Sequence, residues 1–281
     1  MKNLITRALT GIVYVLLLVG CTYYSPISAF FFFAIVSAAT LWEFGTLVNR
    51  HQQAQLPRPI NAMAGIVLAA AVWLCTIASP QAGQMFALYG LLLLYIIVSA
   101  LYRQSEKPLS SWAYALASQI YVALPFALMP LLGIAYDAEK GILSYNWIYP
   151  LSLFIFLWVN DSFAYICGCS LQKYIPVKLF PRISPKKSWI GSIGGGLFTL
   201  LAASAIWWWQ PETMPLHRWL GFGLVVVVFG TWGDLVESLI KRQFGIKDSG
   251  NILPGHGGLL DRFDSALLTI PAAVIYFILT K

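Results

Sequence analysis

Val225–Arg242, VVVVFGTWGDLVESLIKR, begins as an apolar run and ends in four charged residues. Read as a helix, its first half suits only lipid or a buried core. Asp234, Glu237, Ser238 and Lys241 follow at offsets of three, four and seven, so they share one helical face. Against lipid that face would be very costly. Against a hydrated cavity it is a polar wall at one end of a membrane-spanning helix. An ion pair between Asp234 and a lysine of another helix is the plainer alternative.

The rest of the chain agrees with a membrane setting. Of 281 residues, 59% are hydrophobic and 10% are charged, where a soluble domain averages about 25% charged. Apolar runs recur at a length that crosses a bilayer as helix. Hydropathy gives about nine spans, at roughly 4–22, 26–46, 60–78, 85–102, 111–135, 148–168, 190–209, 219–240 and 265–280. The expected fold is therefore all-α, a polytopic integral membrane protein. The N-terminal run resembles a signal peptide but has no clear small-residue cleavage site, so it reads as a retained first span. Without a long linker or an internal repeat, residues 1–281 form a single membrane domain. Within it, 1–147 are N-terminal spans and 148–281 carry the catalytic spans and loops.

Lys and Arg set the orientation. With the N-terminus cytoplasmic, fifteen of the 18 basic residues fall on the inner side and three, Lys140, Arg218 and Lys281, on the outer. The net charge of +7 then faces the cytoplasm, where it attracts anionic headgroups or a polyanionic solute. Nothing points to a nucleic-acid partner. Cys21, Cys75, Cys167 and Cys169 have no metal-site or disulfide spacing and read as small apolar residues.

Acids inside or at the ends of spans are the chemical signal. Glu43, in LWEFGTL, could simply reach the interface. Asp161, beside Asn160 and Ser162 in FLWVNDSFAYICG, is harder to dismiss, although a structural hydrogen bond would explain it. Between the last two spans runs Ser238–Asp264, SLIKRQFGIKDSGNILPGHGGLLDRFD. It holds four basic residues, three carboxylates, a histidine and five glycines. Glycines there free the backbone to approach a ligand. Asp261 and Asp264 open the last span, and ordinary helix capping would account for them. Yet Asp234, Asp261 and Asp264 fall at similar depth, and such oxygen donors suit Mg²⁺, with Lys241, Arg242, Lys247 and Arg262 near enough to neutralise phosphates. A second basic segment, Pro181–Gly191, places Ser184, Lys186 and Lys187 before a span that opens on Gly191, Gly194, Gly195 and Gly196. A phosphate would suit it. Positive-inside topology and close helix packing are the alternatives.

These residues carry a resemblance. Ser238-x-x-Lys241-Arg242, Lys247-Asp248-x-Gly250 and Leu253-Pro254-x-His256-Gly257-Gly258-x-x-Asp261-Arg262-x-Asp264, in that spacing, resemble the signature of the phosphatidate cytidylyltransferase (CDP-diacylglycerol synthase) family. Asn160–Ser162 and Ser184–Gly191 extend the likeness; the first 145 residues share only a generic hydrophobic character. The resemblance implies that CTP and phosphatidic acid give CDP-diacylglycerol and pyrophosphate. It implies Mg²⁺ held by Asp234, Asp261 and Asp264, potassium as a second ion, and a polar pocket including Ser238 and Lys241. It further implies a homodimer in a bacterial inner membrane, with the site open to the cytoplasm. Asn160, Asp161, Ser184, Lys186, Lys187, Arg242, Lys247, Asp248, His256 and Arg262 are the expected substrate contacts. Cytosolic CTP and leaflet-bound phosphatidate would meet where a polar segment joins the inner ends of two spans. Three rivals remain. A transporter would use intramembrane acids but shows repeats. A CTP-dependent polyprenol kinase would release CDP. A CDP-alcohol phosphotransferase would carry a D-G-x-x-A-R run that is missing here.

Overall fold

The computed structural model describes residues 2–103, 106–137, 142–171, 173–250, 252, 255 and 257–280. Helices dominate. They are α1 (Lys2–Tyr24), α2 (Pro26–His51), α3 (Arg58–Thr76), α4 (Ala82–Tyr102), α5 (Pro108–Ser118), α6 (Leu124–Leu128), α7 (Pro130–Gly133), α8 (Ile148–Leu171), α9 (Trp189–Trp209), α10 (Leu216–Gln243) and α11 (Leu260–Leu279). With α5 to α7 taken as one span, eight helical segments among the described residues are long and apolar enough to cross a membrane, and Ala8–Tyr24 is a shorter apolar ninth. The protein is an all-helical integral membrane protein, and each of the nine expected spans coincides with helix.

Local sequence explains the boundaries. Ser25 caps α2: its Oγ accepts from Ser28 N at 3.0 Å, Ser28 Oγ accepts from Ser25 N at 3.1 Å, and Pro26 fills the first turn. Ser188 caps α9, its Oγ accepting from Gly191 N at 3.3 Å.

Two local features depart from the sequence reading. The fifth span is not one regular helix: α5 passes through a π-helical turn, Gln119–Ala123, in which Leu124 N–H donates to Gln119 O five residues back. Pro125 has no N–H for the carbonyl of Tyr121, and a widened turn absorbs that gap. The Gln119 side chain fixes the widening by donating to Asn61 O and Oδ1 of α3, both at 2.9 Å. The loops also hold two antiparallel hairpins. In the first, β1 (Ile134–Asp137) pairs with β2 (Ile142–Tyr145). In the second, β3 (Lys178–Phe180) pairs with β4 (Ser184–Ser188) across an irregular register. The first is anchored by Tyr145, whose hydroxyl donates to Thr22 O at 2.6 Å while burial pushes its phenol above the usual range.

The chain forms two compact units. Met1–Pro150 with Phe244–Phe263 makes one, and Leu151–Gln243 with Asp264–Lys281 the other. In the first, Phe126 packs edge-on against Phe263, and Tyr14 does the same. In the second, Phe222 is buried among Phe156, Trp219 and Phe277. Large apolar side chains such as Leu16, Ile35, Leu91, Leu201 and Leu279 are exposed, as a lipid-facing surface requires.

Lipid gives helices little hydrophobic reason to associate, so close contact rests on small residues. A Cβ at Gly223 of α10 would already sit 3.4 Å from Ala203 and 3.5 Å from Leu200 of α9. Gly194 and Gly195 let α9 lie against α8, where a Cβ would come within 2.5 Å of Cys167 Sγ and 2.6 Å of Asn160 O respectively. Packing accounts for those glycines. Among the described residues all four cysteines are free. In the first unit, Gly65 of α3 faces Ser37 and Leu41 of α2, and a Cβ there would overlap Leu41. Gly65→Val should therefore cost about 1–3 kcal/mol through overpacking. A thermal melt of the purified protein in detergent should show a clearly lowered midpoint; an unchanged one would mean that α2 and α3 are not in such contact.

Candidate active site

In the second unit, α8, α9, α10 and the β3–β4 hairpin enclose a cleft of about 660 Å³. Asn160 and Asp161 enter it from α8, Lys186 and Lys187 from β4, and Asp234 from α10. The hairpin places Lys187: pairing of Lys178 with Ser188 pins the end of β4 just before α9 begins. Lys187 Nζ then lies 2.5 Å from Asp234 Oδ2. Ser238, one turn along α10, donates from Oγ to Asp234 Oδ1 at 3.2 Å. Asp234 is thus ion-paired, as the sequence left open, but its lysine comes from the β4 strand and not from another helix.

Three acids share this region. Asp161 accepts a hydrogen bond from the Asn160 side chain and feels both Asp234 and Lys187. Asp264 feels Asp234, Asp161 and Lys241, and its Oδ1 accepts from Ser265 N at 2.6 Å. Gly233 permits the approach of α10 to α11, since a Cβ there would stand 2.6 Å from Asp264 O and 2.9 Å from Ser265 Cα. Lys241 is directed elsewhere: its Nζ lies 2.6 Å from Oε2 of Glu237, which is fully buried one turn earlier. Asn160 is 2% exposed, and its Oδ1 has no hydrogen-bond partner among the described residues.

The first unit holds a different acid pair. Asp261 Oδ2 accepts from Ser249 N at 2.8 Å, Ser249 Oγ at 2.9 Å and Gly258 N at 2.9 Å. Gly257 adopts a φ of +85°, and a Cβ on it would lie 2.8 Å from Asp261 Oδ2, so this turn requires glycine. Glu43 corrects the sequence reading that sent it to the interface. It is 4% exposed and accepts from Leu259 N at 2.9 Å, Leu260 N at 3.2 Å and Ser249 Oγ.

The expected site residues therefore divide. Asn160, Asp161, Lys187, Asp234, Ser238 and Asp264 are brought together in the second unit, with Lys186 on the cleft rim. Ser184 opens β4 opposite Phe180. Arg242, Lys247, Asp248 and Arg262 are exposed, and His256 lies outside the described residues. Asp261 belongs to the first unit. Among the described residues, no group of three or more His, Cys, Asp or Glu is arranged to hold a metal ion. The donor chemistry still suits a hard cation: Asp161, Asp234 and Asp264 are neighbouring carboxyl oxygen donors, and Mg²⁺ commonly binds through one or two carboxylates plus water and phosphate oxygens. Sequence reasoning missed Ser249 and the engagement of Glu43, although an acid inside an apolar span was itself the signal.

Comparison with known proteins gives the class. The family model described as "Cytidylyltransferase family" matches residues 5–280. A protein of Staphylococcus haemolyticus (strain JCSC1435) named phosphatidate cytidylyltransferase is 31% identical over 97% of this chain and 98% of its own length. Proteins of the same name from Staphylococcus aureus (strain COL) and Staphylococcus epidermidis (strain ATCC 35984) are 38% and 37% identical, over 75% and 76% of this chain and 78% and 79% of theirs. The chain belongs to the cytidylyltransferase family.

The Lys187–Asp234 pair is partly solvated, with side chains 27% and 31% exposed. Such pairs contribute little to folding, typically below about 1 kcal/mol, so its value lies in placing charge within the cleft. A double-mutant cycle with K187M and D234N, read as thermal stability, should give a coupling of that size. A coupling above about 3 kcal/mol would mark a buried structural pair instead.

Proposed function

We propose that the protein transfers the cytidylyl group of CTP to phosphatidic acid, forming CDP-diacylglycerol and releasing pyrophosphate. The observation that carries this reading is the second-unit cleft, where Lys186 and Lys187 face Asp161 and Asp234. Both substrates are polyanions, and their mutual repulsion is the main obstacle. A site for them needs fixed cations and acids that retain a divalent ion. Membership of the cytidylyltransferase family and the names of the relatives support the choice of substrates.

In this reading a phosphate oxygen of the lipid attacks the α-phosphorus of CTP in line. The new P–O bond forms as the bond from the α-phosphorus to the bridging oxygen breaks, and the electron pair leaves with pyrophosphate. The attacking oxygen is already anionic, so no general base is required and none of the acids need take up a proton. Lys187 screens the phosphate charge, with Asp234 and Ser238 holding its ammonium in place. Lys186, exposed on the rim, draws in the triphosphate. Asn160 lines the same cleft beside Asp161, its own Oδ1 buried against Gly195 of α9. Asp234 and Asp264 would hold Mg²⁺. Asp261, expected from the sequence as a third ligand, has its Oδ2 engaged by Ser249 and Gly258. When bound, the ion supplies charge neutralisation at the α-phosphate and the leaving group. Potassium as a second ion, a homodimer, contact with membrane lipids and a site open to the cytoplasm belong to the same reading; the inward bias of Lys and Arg supports that orientation.

The test is to incubate the purified protein with phosphatidate, Mg²⁺ and CTP labelled at either the α- or the γ-phosphate. Label from the α-position should enter the lipid phase with stoichiometric pyrophosphate, and D264N should lower the rate by about a hundredfold or more. Transfer of the γ-label would instead identify a kinase and reject the proposal.

A further inference from the structure

Neither the cleft nor the proposed reaction uses Glu43, yet it is among the most completely engaged acids of the chain. Its partners lie more than two hundred residues away in sequence: Leu259 N–H, Leu260 N–H and the Ser249 hydroxyl. Leu260 opens α11 and Leu259 precedes it, so these N–H groups are among the orphan donors at the start of that helix, which no carbonyl of its own accepts. A carboxylate there is also favoured by the helix dipole. Glu43 thus caps α11 from another helix.

The surrounding sequence makes room for this cap. A Cβ at Gly250 would lie 3.0 Å from Glu43 Cδ, and one at Gly258 would overlap Oε1. Ser249 Oγ stands within hydrogen-bonding reach of both Glu43 Oε1 and Asp261 Oδ2. Its single proton serves two carboxylates, so neither contact is independent of the other. Asp261 in turn gathers the backbone of Ser249 and Gly258. Ser249, Gly258, Leu259 and Leu260 are thus held by two acids, one supplied by α2.

We infer that Glu43 is a positioning residue: by capping α11 it fixes where that helix begins, and with it the placement of Asp264 one turn further on. Glu43 itself touches no substrate. The inference rests on the proposed function, in which Asp264 takes part.

The test uses the full chain in lipid nanodiscs with E43Q and E43D. Glutamine keeps the shape but offers one acceptor oxygen, and its amide N–H₂ opposes an N–H donor. Hydrogen exchange, measured without substrate, should rise at the Leu259 and Leu260 amides of E43Q while α3 exchanges as in the parent. In the labelled-CTP assay, kcat should fall about tenfold or more, with KM for CTP shifted less than about threefold. E43D keeps both oxygens and should recover part of the lost kcat and protection. Parent-like exchange in E43Q overturns the cap. Raised exchange with an unchanged kcat overturns the positioning role, as does a rise that extends to α3 with a collapsed melt in both variants. Exchange is read without turnover, so failure of the parent to label lipid would reject the function and leave the cap's own readout intact.

Discussion

A carboxylate placed in an apolar helix must find a cation or hydrogen-bond donor, because lipid offers it neither. The polar structure of this protein follows from that demand. Asp234 is held by Lys187 and Ser238, Glu237 by Lys241, and Asp264 by the backbone of Ser265. Asp261 gathers Ser249 and Gly258, while Glu43 gathers Ser249 and the start of α11. Most of these partners come from loops or helix ends, and loops become ordered by supplying them. The β3–β4 hairpin, which supplies Lys187, and Ser249 with Gly258, which hold Asp261, are the clearest cases.

The contacts separate two kinds of acid. Glu43 and Asp261 accept mainly from backbone N–H groups, which are fixed donors and cannot leave. Those contacts hold the backbone of Ser249 and of Gly258, Leu259 and Leu260 in place. Asp161 and Asp234 instead line a cleft beside Lys187, with Asp264 close enough to repel both. A cluster of that kind is costly for the protein alone and becomes favourable when a polyanion arrives with its counterions. The proposed reaction supplies both: a triphosphate from water and a lipid phosphate from the leaflet.

Much of this was legible in the sequence, and the reasons differ by feature. The spans were readable because runs such as Val225–Val228 admit no other environment and because Lys and Arg punctuate them. Offsets of four correctly grouped Asp234 with Ser238 and Glu237 with Lys241. Pro125 signalled a break in the fifth span, but the π-helical form it takes was not readable, since Gln119 fixes it by reaching Asn61 on another helix. The hairpins were missed because their strands are short and lack a clean alternation; β4 is SPKKS. Glu43 was misplaced for a similar reason: its partners lie beyond residue 248, and proximity in sequence says nothing of them. Asp261 and Asp264 look alike at a spacing of three, yet the structure gives them different partners.

In the proposed function Asp234 and Asp264 hold a cation rather than serving as structural acids. Electron paramagnetic resonance of Mn²⁺ added to the purified protein, without nucleotide or lipid, tests it most directly. Saturable binding is expected in the parent, weakened about tenfold or more by D234N and by D264N. Mn²⁺ affinity identical in the parent and both variants would contradict the account.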